Sequence, residues 1–130
     1  MRHALLTLAA ALPLAGVLAF ASLAPAPLQA APAPAPGNPF AKCTACHTVK
    51  PGAKSGIGPN LHKIVGSKAA AVAGYSYSAA LKGKAITWTP EQLDAFLARP
   101  FKVVPGTKMV FPGMSDPRER AAVIEYLKAN

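Results

Sequence analysis

Cys43-Thr44-Ala45-Cys46-His47 is the densest cluster of reactive side chains in the 130-residue sequence, and it holds both cysteines of the chain. Two cysteines three positions apart, followed at once by histidine, form the attachment pattern of a c-type haem. On a helical turn both sulfurs point to one side, where each can form a thioether with a haem vinyl group, and His47 can turn its imidazole onto the iron. Three other chemistries use the same residue types. A disulfide across so short a helical span would be strained and would leave the histidine without a role. A zinc site needs four ligands, and beyond the pentad only His62 is available to help. A thioredoxin-type redox pair needs strands and helices alternating around it, and no such alternation surrounds this one. One covalently held haem accounts for all three side chains.

A haem iron bound by His47 has a sixth position to fill unless it is an open, ligand-binding site. Met109, Met114 and His62 are the candidates. A methionine in an apolar segment is ordinarily adaptable core filling, yet a thioether is also an established axial partner of histidine and raises the reduction potential. Residue type alone leaves the choice open.

From Phe40 to Asn130 the sequence resembles class I cytochrome c, the family of mitochondrial cytochrome c and its soluble periplasmic relatives. The motifs that carry the likeness are C-T-A-C-H at 43–47, G-P-N-L at 58–61, G-Y-S-Y at 74–77, I-T-W at 86–88, P-G-T-K-M at 105–109 and E-Y-L at 125–127. The resemblance implies an all-α fold of about four short helices and loops wrapped around one covalent haem c. It makes Met109 the sixth ligand opposite His47, assigns Met114 to the core and leaves His62 as a solvated surface residue. It implies that the Pro59 carbonyl accepts the second imidazole proton of His47, and that Tyr77, Trp88 and Thr107 donate to the haem propionates. Departures from the family pattern are Phe96 in place of a tyrosine and Leu81 in place of an asparagine, both on the methionine side, and Ser67 in place of an arginine near a propionate. The first two and the third push the potential in opposite directions.

With both axial positions filled the resemblance implies a one-electron carrier rather than an enzyme, whereas a labile Met109 would leave an open iron suited to gas binding or peroxidase chemistry. The implied partners are quinol–cytochrome c reductase on one side and a terminal oxidase or photosynthetic reaction centre on the other. Lys42, Lys50, Lys54, Lys102 and Lys108 could steer such partners, although Phe101 and Asp116 stand where the family often has lysines.

The elements that must position these residues can be read from caps and periodicity. Asn38-Pro39 predicts a short helix through the cysteines, with Phe40 packing against Val123, Tyr126 and Leu127. Thr89-Pro90-Glu91-Gln92 is a capping box ahead of Leu93, Phe96 and Leu97. Asp116-Pro117-Arg118-Glu119 opens the last helix, and a further turn is expected over 76–81. Gly52 to Gly58 and Pro100 to Pro112 are expected to be irregular loops needing a central group to pack on.

Ahead of this domain, residues 1–30 carry Arg2 and His3, an apolar run from Ala4 to Ala24 and small residues at Leu28-Gln29-Ala30. They predict a secretory signal cleaved after Ala30, with an uncleaved membrane anchor as the alternative. Residues 31–37 are an Ala/Pro spacer favouring extended polyproline, and 38–130 form the haem domain. Export predicts a periplasmic location, and the expected state is a monomer. Beyond residue 30 thirteen basic residues face five acidic ones, a net charge of +8. That excess calls for an anionic partner. The exported location and the absence of a nucleic-acid motif exclude nucleic acid and leave an acidic protein surface.

Overall fold

The computed structural model describes residues 37–130; the expected signal, the alternative anchor and the Ala31–Pro36 part of the spacer lie outside them. Five helical segments follow in order: a 3-10 turn over Ala41–Cys43, α1 over Ala79–Lys82, α2 over Pro90–Ala98, α3 over Pro100–Val103 and α4 over Pro117–Lys128. Among the described residues there is no strand, only an isolated antiparallel bridge between Lys68 and Thr87. The fold is all-α, as expected. None of these helices is long and apolar enough to cross a membrane.

Local chemistry explains where each helix starts. Thr89 Oγ1 accepts the backbone N–H of Gln92 at 3.2 Å, and Asp116 Oδ1 accepts that of Arg118 at 2.8 Å. Each satisfies one of the orphan donors of a helix N-terminus, and each cap is followed by a proline that has no N–H to satisfy. Ser78 caps α1 in the same way through Leu81.

Two expectations need correction. The opening helix shrinks to three residues: Asn38 starts a turn, its side-chain oxygen accepting the Phe40 N–H at 2.9 Å and its carbonyl the Ala41 N–H at 3.0 Å, but only Ala41–Cys43 continue it, as a 3-10 helix. The 100–112 stretch is not all loop. Pro100 sits at the first position of α3, where a proline is tolerated, and is itself buried.

The core lies between α2 and α4, with Leu93, Phe96 and Leu97 meeting Val123, Ile124 and Leu127. Phe40 is only 2% exposed and stacks on Tyr126 with ring centroids 5.2 Å apart, so the chain just before the cysteines is anchored to α4. Trp88 closes the other end against Phe96 at 5.0 Å. Its backbone is held by Trp88 N–H to the Ser67 carbonyl and by Gly66 N–H to the Trp88 carbonyl, both at 2.8 Å.

Candidate haem site

The pentad is wound as one turn: the N–H groups of Cys46 and His47 both donate to the Cys43 carbonyl, at 3.1 and 2.8 Å. Cys43, Cys46 and His47 therefore share one side, and all three line a cavity of about 220 Å³. The cysteines are unbridged. Burial holds the Cys43 thiol above its ordinary range, the neighbouring Cys46 adds to this, and Lys42 opposes it. Among the described residues no three His, Cys, Asp or Glu side chains gather to hold a metal ion by themselves.

His47 Nδ1 lies 2.8 Å from the Pro59 carbonyl oxygen. A carbonyl can only accept, so this contact places the imidazole proton on Nδ1 and leaves Nε2 with its lone pair. Burial lowers the His47 pKa, and the Pro59 bond works against that shift. Burial favours the neutral imidazole, and the Pro59 bond orients it.

Gly58 is a residue to which the sequence reading gave no role beyond its place in G-P-N-L and at the end of an irregular loop. Its φ is not positive, so backbone freedom is not the reason for it. A Cβ at this position would lie 2.6 Å from His47 Nδ1 and 2.7 Å from Nε2, and would also strike Cε1. Only glycine lets the imidazole lie flat against the chain.

Met109 lines the same cavity, and its N–H donates to Thr107 Oγ1 at 3.2 Å. Met114 does not reach the cavity; it is 4% exposed and belongs to the core, as expected. Tyr77, Trp88 and Thr107 line the cavity with donors to spare. The Tyr77 hydroxyl accepts the Val72 N–H at 3.3 Å and keeps its own hydrogen, Thr107 Oγ1 likewise only accepts, and the Trp88 indole N–H has no partner among the described residues. Such convergent free donors suit carboxylates that would otherwise be costly to desolvate. Phe96 and Leu81 make the wall apolar, whereas Ser67 lies off it with its hydroxyl spent on the Ile64 carbonyl at 2.8 Å. A site with two thiols, a neutral imidazole, a thioether and three free donors around an apolar slot fits a covalently held haem.

His62 is not the solvated residue expected. It is half-buried, off the cavity, with Nδ1 closed from solvent and unpartnered among the described residues. Its N–H donates to Asn60 Oδ1 at 2.9 Å, and the left-handed Lys63 behind it, with φ 54°, donates to the Asn130 carbonyl. These bonds fold the segment back on the C-terminus.

The charges are segregated. All five acidic residues lie on α2, on α4 or at the cap of α4, and four of them are paired: Lys42 with Glu119, Arg118 with Asp116, Arg120 with Asp94 and Lys128 with Glu125. Of the five candidate steering lysines, Lys42 is thus engaged at 2.8 Å, and Lys108 at the cavity mouth donates to the Ser76 carbonyl at 3.2 Å.

No protein-family model matches the chain. Individual relatives do. Cytochrome c of Nigella damascena is 53% identical over 87 residues, covering 67% of this chain and 78% of that protein. Cytochrome c2 of Rhodomicrobium vannielii is 49% identical over 88 residues, covering 68% and 70%. The structure of cytochrome cH from Methylobacterium extorquens superposes with a TM-score of 0.67 at 48% identity, over 71% of this chain and 92% of that one. With likeness of this extent in both sequence and fold, the chain belongs to the class I cytochrome c family and is an electron carrier rather than an enzyme.

Proposed function

We propose that the chain is a periplasmic monohaem carrier, with Cys43 and Cys46 bearing the two thioethers and His47 and Met109 as the axial ligands. The observation that supports this most directly is the His47–Pro59 contact, which frees Nε2 in a cavity also lined by both cysteines and Met109. When bound there, haem c supplies a reversible ferrous–ferric couple. The chain's own residues do the rest. Pro59 holds the imidazole ring in orientation, Tyr77, Trp88 and Thr107 satisfy the propionates, and Phe96 and Leu81 keep water from the methionine side.

With both axial positions taken, the residues favour outer-sphere exchange at the cavity mouth. Exposed Ile57 and Val110 line that mouth beside Lys108. No acidic residue occurs between 37 and 90, a stretch carrying Lys50, Lys54, Lys63, Lys68, Lys82 and Lys84. That surface suits acidic docking faces, and we assign quinol–cytochrome c reductase as donor and a terminal oxidase or reaction centre as acceptor. The head, residues 1–30, acts as the export signal, and 31–37 as a spacer before the haem domain.

The absorption spectrum of the oxidised, haem-loaded protein tests the ligation. A sulfur-to-iron charge-transfer band is expected, abolished by Met109→Ala and retained in Met114→Ala. The reverse pattern refutes the ligand assignment. Sequencing the mature N-terminus tests cleavage after Ala30.

A further inference from the structure

Met109 sits in a segment held by hydrogen bonds at both ends and, between them, by the packing of Phe111 on the core and the close approach of Gly113 to Ala98. On the near side Val104 is fully buried, its N–H bonds the Pro100 carbonyl at 2.9 Å, and the Thr107 N–H bonds the Val104 carbonyl at 3.0 Å. Val110 is 95% exposed, and among the described residues 110–113 make no hydrogen bond. The far side is caught at Met114, whose N–H donates to the Leu97 carbonyl of α2 at 2.8 Å.

Arg120 of α4 completes that catch. Its Nη1 donates to the Met114 carbonyl at 2.9 Å and to the Ser115 carbonyl at 3.0 Å. Its Nε and Nη2 fork onto Asp94 of α2 at 2.7 and 3.4 Å. The Arg120 side chain is only 12% exposed. One planar guanidinium thus ties α2, α4 and the end of the methionine segment together, a geometry that a lysine ammonium cannot reproduce.

We infer that Arg120, oriented by Asp94, is a positioning residue that holds Met109 in the cavity by fixing the end of its segment. The inference rests on Met109 being the sixth ligand. Because 110–113 make no hydrogen bonds among the described residues, losing the Arg120 bonds to the Met114 and Ser115 carbonyls leaves that end held by the Met114 N–H and by the packing of Met114 and Phe111, so the segment opens more readily, a local rather than global event. An added ligand that competes for the sixth position binds only the open form, so its apparent affinity reports the open fraction.

The experiment measures imidazole binding to the oxidised, haem-loaded full chain, with far-UV circular dichroism confirming that each variant is folded. Arg120→Ala should raise the apparent imidazole affinity about tenfold or more, and Arg120→Lys and Asp94→Asn severalfold. Ile124→Ala, which weakens α4 packing away from the cavity, should change it less than about twofold. Clamp variants that shift imidazole binding no more than Ile124→Ala overturn the inference. Arg120→Lys and Asp94→Asn decide the matter should Arg120→Ala fail to fold. Met109→Ala separates the two claims: it should bind imidazole more tightly than any clamp variant, and unchanged binding would refute the ligand assignment instead.

Discussion

Replacing Gly58 by alanine adds one methyl group where the His47 ring now lies. The new Cβ would sit 2.6 Å from Nδ1 and nearer still to Cε1, whereas ordinary contact begins at 3.4 Å, so the ring must retreat by at least about 0.8 Å or the backbone must move. Retreat stretches the 2.8 Å bond to Pro59 past hydrogen-bonding range. Overpacking of this kind costs about 1–3 kcal/mol, and the lost bond about 1 kcal/mol more. We expect Gly58→Ala to destabilise the haem-loaded protein by about 2–4 kcal/mol. Gly56→Ala is the matched control, since its Cβ would meet only the Cys46 carbonyl at 3.5 Å and its φ is also not positive. Denaturant unfolding followed by circular dichroism compares the two, and the hyperfine-shifted proton resonances of the His47 ring report its position. Equal stabilities with unmoved His47 resonances would refute the argument that close approach dictates this glycine.

Three further outcomes are expected. Met114→Ala should cost about 2–5 kcal/mol in the same unfolding assay, because it empties a buried core position. Lys42→Ala should change stability by less than about 0.5 kcal/mol, its ion pair with Glu119 being exposed on both sides. Burial pushes the Tyr77 phenol above its usual 10.0, with the Val72 N–H bond opposing and Tyr75 adding to the shift. A raised folded pKa means stability fully present below pH 10 and lost as pH rises through the raised value. Tyr77→Phe should remove that part of the alkaline loss in a pH series of unfolding curves.

What could be read from the sequence followed the range of the interaction. The pentad is local, so its chemistry was legible before any fold was known. The two long helices were legible from caps at Thr89 and Asp116 because a cap involves residues only two or three apart. α3 was missed because Pro100 reads equally as a loop residue or as the first residue of a helix, and the burial that favours the helix is tertiary. Choosing Met109 over Met114 needed the family resemblance, since the distinction lies in which thioether faces the cavity. The burial of His62 was not legible for the same reason: its neighbour Lys63 bonds the carbonyl of Asn130, sixty-seven positions away. The Arg120–Asp94 fork joins residues 26 positions apart on different helices, and nothing in either local sequence announces it.

The confinement of every acidic residue to α2, α4 and its cap makes the protein a permanent electric dipole superimposed on its net positive charge. A monopole only attracts, whereas a dipole also exerts torque. A partner's negative field therefore turns the molecule before contact, within the last ~10 Å where charges remain unscreened at 0.1 M salt. The same charge change then has unequal effects by location. A new acid far from α2 and α4 weakens both the pull and the turning, whereas neutralising Arg118 or Lys128 weakens the pull while strengthening the turn. Encounter rates for such a pair would separate orientation from attraction in a way that net charge alone cannot.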